Sequence, residues 1–196
     1  MKANRLRQGY SVRQMASLLV ILCLLAMSTV DCNSGEQLPE EAEMALPVLS
    51  PAFQDGARIP AKYTCQGQDV SVPLTWSDSP AGTDSFALIL DDADAPGGVF
   101  THWILFNIPS DSRELPEAMP TQAQLPSGAL QGKNDFGRLG YSGPCPPPGP
   151  SHQYRFTVYA LDQPLDLKAG ASRKQVVDSM KGHILAQGQL TGTYQR

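Results

Sequence analysis

Four short stretches hold the polar residues from which a site could be built. The first is Asp91-Asp92-Ala93-Asp94-Ala95-Pro96-Gly97, which follows an apolar run and so brings carboxylates to the end of a buried strand. Carboxylates there can serve as acid, base or ligand, or can simply cap the backbone N–H groups of a turn. The spacing begins like a D-x-D-x-D-G calcium loop, but Pro96 stands at the third ligand position. The second stretch is Thr101-His102-Trp103, whose histidine opens another apolar run. The third is Gly140-Tyr141-Ser142-Gly143-Pro144-Cys145-Pro146-Pro147-Pro148-Gly149. Its glycines allow close backbone approach and its prolines stiffen the loop. The fourth, His152-Gln153-Tyr154, heads a further strand.

Known catalytic patterns do not fit these residues. Gly140-Tyr141-Ser142-Gly143 lacks the spacing of a G-x-S-x-G elbow. No Cys or His pair has zinc-ligand spacing, so no metal and no cofactor is implied. The chain has three histidines, and His183 reads as a helix residue near the surface. That leaves His102 and His152 as the titratable groups near neutrality.

The elements that must position these residues are mostly strands. Val72, Leu74 and Trp76 alternate with polar or small residues, as in a half-buried strand. Residues 85–90 form a continuous apolar run ending at Asp91 and Asp92, as expected of a central strand buried on both faces. Residues 102–108, 154–161 and 187–194 supply three more strands. Residues 109–151 contain nine prolines and are expected to be ordered loop, which inside a compact domain is often functional. One helix is predicted: Ser172 and Gln175 form a capping box, Val176, Met180 and Ile184 lie four apart, and Gly188 is the expected stop.

The first 28 residues read as a secretory signal peptide. Lys2, Arg5, Arg7 and Arg13 precede an uncharged apolar run over residues 15–30. The alternative is an uncleaved membrane anchor, for which the run is shorter than the ~20 apolar residues of a spanning helix. Cys32 sits where a lipoprotein cysteine sits, which raises a possible lipid anchor, although the neighbouring Asp31 is wrong for that signal. Residues 29–46, rich in Glu, read as a flexible acidic tether, and residues 47–196 as the folded domain. Of 15 Lys and Arg, four lie in the signal segment, leaving a strongly acidic remainder against 19 Asp and Glu. That balance argues against nucleic acid or an anionic membrane surface as main partner. In an oxidising compartment Cys65 and Cys145 could pair, with Cys32 left over; the alternative is two free thiols.

Taken jointly, the four stretches resemble the signature regions of the phosphatidylethanolamine-binding protein (PEBP) family, in its bacterial Raf-kinase-inhibitor-like branch. The resemblance extends to Lys62-Tyr63-Thr64-Cys65-Gln66-Gly67, Pro73-Leu74-Thr75-Trp76, Asn134-Asp135-Phe136-Gly137 and Tyr159-Ala160-Leu161-Asp162, and covers about residues 50–195. Ala93 departs from it, standing where the family usually has proline. The resemblance implies a mainly β protein: a PEBP-like β-sandwich with a large antiparallel sheet, a smaller sheet and a C-terminal helix. It also implies a pocket for a small anion or phosphorylated head group, lined by Asp92, Asp94, His102, Gly143, Pro144, His152 and Tyr154. A cis peptide at Ala95-Pro96 is expected on the same ground. The function so implied is that of an exported binding module, regulatory in the manner of a kinase or protease inhibitor, and not an enzyme. The rivals are a hydrolase using a His/Asp pair and a secreted inhibitor acting through its outer surface. A protein partner and a homodimer stay open. In the pocket so drawn, a histidine beside a carboxylate has its charged form favoured. Two imidazolium groups would then offset the two carboxylates and bind an anion more tightly as pH falls. Gly143 would offer backbone groups and Tyr154 a hydroxyl donor.

Overall fold

A strand that is apolar on both faces needs a layer packed on each, and both layers are present. The computed structural model describes residues 46–77 and 79–196; the signal segment, Cys32 and the tether through residue 45 lie outside the described residues. The strands are β1 (Val48–Leu49), β2 (Leu74–Trp76), β3 (Ser85–Asp92), β4 (Phe100–Pro109), β5 (Glu114–Leu115), β6 (Leu130–Gln131), β7 (His152–Leu161) and β8 (Ile184–Tyr194). One α-helix among the described residues, α1 (Arg173–Met180), precedes β8. Every paired strand is antiparallel. The order is β1-β2-β5 in a small sheet and β6-β4-β3-β7-β8 in a large one. This is the expected sandwich.

β3 lies at the centre of the large sheet, and all eight of its residues are buried. Its alternate side chains feed two different cores. Phe86, Leu88 and Leu90 pack between the sheets with Leu74, Trp76, Trp103 and Phe156. Ala87 and Ile89 face the other way and meet Ile104, Phe106 and Tyr159, with Val176, Val177 and Met180 of α1. Each fully buried Leu, Ile or Phe is worth about 1.5–3 kcal/mol, so the two cores together fix the register of β3. That register decides the site. Asp91 continues the helix-side set and Asp92 the inter-sheet set, and a one-residue slip would exchange them.

The capping box forms as expected: the Ser172 N–H donates to Gln175 Oε1 at 2.9 Å, and the Gln175 N–H to Ser172 Oγ at 3.4 Å. The helix stops earlier than the sequence pattern predicts. It ends at Met180, the chain turns at Gly182 with φ 77°, and Ile184 opens β8 opposite Leu161. Ile184 still packs against the helix-side core, which explains why it fits the four-residue spacing while belonging to a strand. Gly188 is therefore not a helix stop but lies inside β8. A Cβ there would lie 1.5 Å from the Leu46 carbonyl oxygen, so glycine permits a close chain crossing. Leu46, placed by the sequence at the end of the tether, is buried in the inter-sheet core and donates its N–H to Gln187 O at 2.9 Å.

Candidate functional site

The C-terminal end of β3 and the N-terminal ends of β4 and β7 meet at one end of the large sheet. Asp92 is paired across the ladder with Tyr154, and His152 lies two residues earlier on the same face of β7. The His152 Nδ1 lies 2.8 Å from Asp92 Oδ2 and 3.1 Å from Oδ1, with both side chains buried. The Asp94 N–H also donates to Asp92 Oδ1 at 3.0 Å.

His102 reaches the same place through an irregularity. Leu90 pairs with Trp103 but Asp91 pairs with Thr101, so β4 carries one extra residue, His102. A β-bulge of this kind re-aims a side chain. Thr101 keeps the helix-side face and donates from Oγ1 to Asp91 Oδ1 at 2.8 Å. Trp103 stays in the inter-sheet core, and His102 packs against Tyr154 with ring centroids 5.3 Å apart. The His102 Nδ1 donates to the carbonyls of Ser142 at 2.8 Å and Gly143 at 3.1 Å. The proline-rich loop thus serves as a backbone clamp on the ring.

That clamp has its own support. The Asn134 side-chain amide donates to His102 O (3.2 Å), Gly140 O (3.0 Å) and Ser142 Oγ (3.1 Å). The Gly143 N–H donates to Asp69 Oδ1 at 2.6 Å. A Cβ at Gly143 would fall 2.2 Å from Tyr63 O and 2.7 Å from Asp69 Oδ1, so only glycine fits. The Cys65 N–H donates to Pro144 O at 3.2 Å, and Cys65 is disulfide-bonded to Cys145 with Cα atoms 5.4 Å apart.

Between these groups lies a cavity of about 200 Å³. Its polar lining is Asp92, His102 and His152; its walls are Ala95, Pro96, Phe100, Phe136, Pro146, Pro147 and the bonded Cys145. Phe100 and Phe136 stand edge to face 4.8 Å apart, each with its ring centroid 5.3 Å from that of His102. Phe136 is 42% exposed and forms a lip. A larger cavity, about 310 Å³, lies around Leu115, Met119 and Leu125, but its lining is chiefly apolar and brings no comparable polar groups together.

The structure brings together three of the seven pocket residues named from sequence and gives the other four different places. Asp94 accepts the Gln153 N–H at 2.8 Å and anchors the loop to β7. Gly143 and Pro144 build the clamp, and the Gly143 N–H is committed to Asp69 rather than free for a ligand. The Tyr154 hydroxyl is fully buried, outside the cavity lining, and without a partner in hydrogen-bonding geometry. Burial first, and the Asp92 charge next, push its phenol well above the usual range, so the hydroxyl keeps its hydrogen, but it does not line the cavity.

Two further expectations are corrected. The Ala95–Pro96 peptide is trans. Pro96 follows the first residue of a turn closed by the Gly98 N–H to Ala95 O at 2.9 Å, where an ordinary trans proline fits, and Gly98 at φ 102° completes the reversal. Nor do two imidazolium groups line the cavity. Burial lowers the His102 pKa, only partly opposed by the Ser142 carbonyl and the Asp92 charge, so this ring is neutral near pH 7. Asp91, in the same sequence cluster as Asp92, turns to the helix side and is held by Arg173, Nε to Oδ2 at 3.0 Å and a second guanidinium nitrogen to Oδ2 at 3.0 Å.

Sequence reasoning did not single out Asp69, Asn134, Phe100 or Phe136 as site residues. Asn134-Asp135-Phe136-Gly137 has the composition of a surface turn, and only the fold shows the Asn134 side chain buried.

The comparisons agree with this fold. The family model described as phosphatidylethanolamine-binding protein matches residues 49–195. A UPF0098 protein of Methanothermobacter thermautotrophicus is 52% identical over 145 residues, covering 74% of this chain and 95% of that protein. A Mycobacterium tuberculosis protein provisionally named lipoprotein LppC is 41% identical over 169 residues, covering 86% and 79%. The crystal structure of Escherichia coli YbcL, described as a member of the mammalian PEBP family, superposes with a TM-score of 0.73 at 34% identity, covering 78% of this chain and 99% of that one. The chain belongs to the phosphatidylethanolamine-binding protein family, and the relatives named here are bacterial and archaeal.

Proposed function

We propose that the protein is an exported binding module for a small anionic or phosphorylated ligand, held in the cavity between His102 and His152. The observation that carries this is the Asp92–His152 pair. The carboxylate fixes the ring through Nδ1, and among the described residues no hydrogen bond reaches Nε2, while the ring lines the cavity. Once protonated, that nitrogen donates a charge-assisted hydrogen bond to an anionic oxygen. In that protonated form the His152 charge offsets that of Asp92, so the anion does not meet an uncompensated carboxylate. The groups facing His152 are Asp92 on β3, His102 on β4, and Tyr154 on its own strand, with Tyr194 as its ladder partner on β8. Export is supported by the basic and apolar leader and by the lipoprotein name carried by the mycobacterial relative.

Hydrolysis through a covalent intermediate is disfavoured because no free hydroxyl or thiol lines the cavity among the described residues. Ser142 Oγ accepts from Asn134 outside the lining, and Cys145 is disulfide-bonded. The test is calorimetric titration with phosphate and phosphoethanolamine between about pH 5.5 and about pH 8, spanning imidazole titration. Affinity should fall as pH rises. His152→Ala should weaken binding by about tenfold or more, the worth of one charge-assisted bond, and should also lower the thermal midpoint, because it leaves the buried Asp92 carboxylate without its partner. Affinity that ignores both pH and the substitution would remove this mechanism.

A further inference from the structure

The hydrogen-bond directions in the cavity restrict the ligand further, on the reading that an anion binds there. The His102 Nδ1 faces two carbonyl oxygens, Ser142 and Gly143. A carbonyl cannot donate, so Nδ1 carries the hydrogen and Nε2 of the neutral ring is a bare acceptor. Among the described residues no hydrogen bond reaches that Nε2, and the ring lines the cavity. His152 Nδ1 faces a carboxylate, so its hydrogen is fixed on the same nitrogen, and its Nε2 donates only when the ring takes a second proton. Facing His102 are Asp92 at the end of β3, His152 and Tyr154 on β7, and the rings of Phe100 and Phe136; Asp91 acts on it through charge alone. Among the described residues no Lys or Arg lines the cavity. The site therefore offers one charged donor and one acceptor that must be given a hydrogen by the ligand.

We propose that the cavity selects an oxyacid that still carries a hydrogen: an ionised oxygen accepts from His152 Nε2–H while a P–OH donates to His102 Nε2. The matching class is inorganic phosphate or a phosphate monoester in its monoanionic form. A phosphodiester, sulfate or any other oxyanion without a hydrogen leaves the His102 acceptor unpaired in a buried site, which costs affinity. Hydrogen phosphate keeps an O–H throughout the neutral range. A monoester loses its own with a second pKa of about 6, so its affinity should decline sooner as pH rises.

The experiment titrates the protein with inorganic phosphate, methyl phosphate, dimethyl phosphate and sulfate at about pH 6, close to that second pKa. Dimethyl phosphate stands for a diester headgroup and methyl phosphate for a monoester. Phosphate and methyl phosphate should bind at least about tenfold more tightly than the other two, the usual penalty for one unpaired buried acceptor. His102→Asn keeps an N–H toward the two carbonyls but has nothing at the place of Nε2, and should bring phosphate and sulfate to similar affinity. Should that variant fail to fold, the four-ligand series on the unaltered protein decides alone. Equal affinities, or a preference for sulfate or the diester, would overturn the selection and leave anion binding standing. Failure of all four to bind would overturn both.

Discussion

His102 and His152 share a cavity but not a chemistry. One ring gives its Nδ1–H to two carbonyls, the other to a carboxylate. The sequence shows both histidines and both aspartates, and the resemblance groups them, but neither shows which atoms each ring would meet. That depends on backbone carbonyls, which no side-chain pattern encodes. The consequence for His102 can be measured. Its pKa is lowered in the folded protein, so as pH drops below the ordinary imidazole value of about 6.5 the unfolded chain takes the proton first. Its contribution to stability is thus complete above that value and declines as pH falls toward the folded-state pKa, then levels off. Proton NMR of the ring should show it titrating below the ordinary value; a midpoint at or above about 6.5 would contradict the clamp described here. Gly143 offers a second check. Gly143→Ala forces a Cβ into Tyr63 O and Asp69 Oδ1, and should cost about 1–3 kcal/mol in urea unfolding while weakening phosphate binding through the displaced carbonyls.

Among the elements, the strands of the large sheet were legible because their apolar runs are long and bounded by Gly and Pro. What was not legible was the bulge. By simple alternation Trp103 and His102 take opposite faces, and the extra residue against Asp91 is what turns His102 into the cavity. The helix end was misread for a related reason: Ile184 completes a helical stripe yet sits in β8, because a strand can feed the same core from the adjoining layer. The split between Asp91 and Asp92 leads to a clean separation of stability from binding. Arg173→Ala removes the guanidinium from Asp91, whose side chain is largely buried, and should destabilise the domain by about 3 kcal/mol. Phosphate affinity of the folded variant should change far less than stability, since Asp91 faces α1 and reaches His102 through charge alone. Chemical denaturation and titration on the same sample measure the two effects, and a parallel loss of affinity would show the two faces of β3 to be coupled.

At the scale of the whole molecule, two layers on β3 and one covalent link hold the site end together. The Cys65–Cys145 bond spans 80 residues of sequence. On the chain-entropy model that closure is worth up to about 4.5 kcal/mol, and replacing both cysteines by serine should lower stability by no more than that. Alkylation without reductant should leave Cys65 and Cys145 unlabelled in intact-mass measurement, and labelling of both would refute the bond. The bond also makes the chain a topological ring. Asp92, His102, the clamp carbonyls and the strands β2 through β6 all lie inside it, while His152 lies seven residues beyond its closure. A single protease cut at any exposed turn between Cys65 and Cys145 would leave the two pieces joined, one band on a non-reducing gel and two after reduction. Such a nicked molecule keeps its parts joined, so a cut in the loop segments between residues 116 and 144 is survivable in a way that the same cut after residue 145 is not.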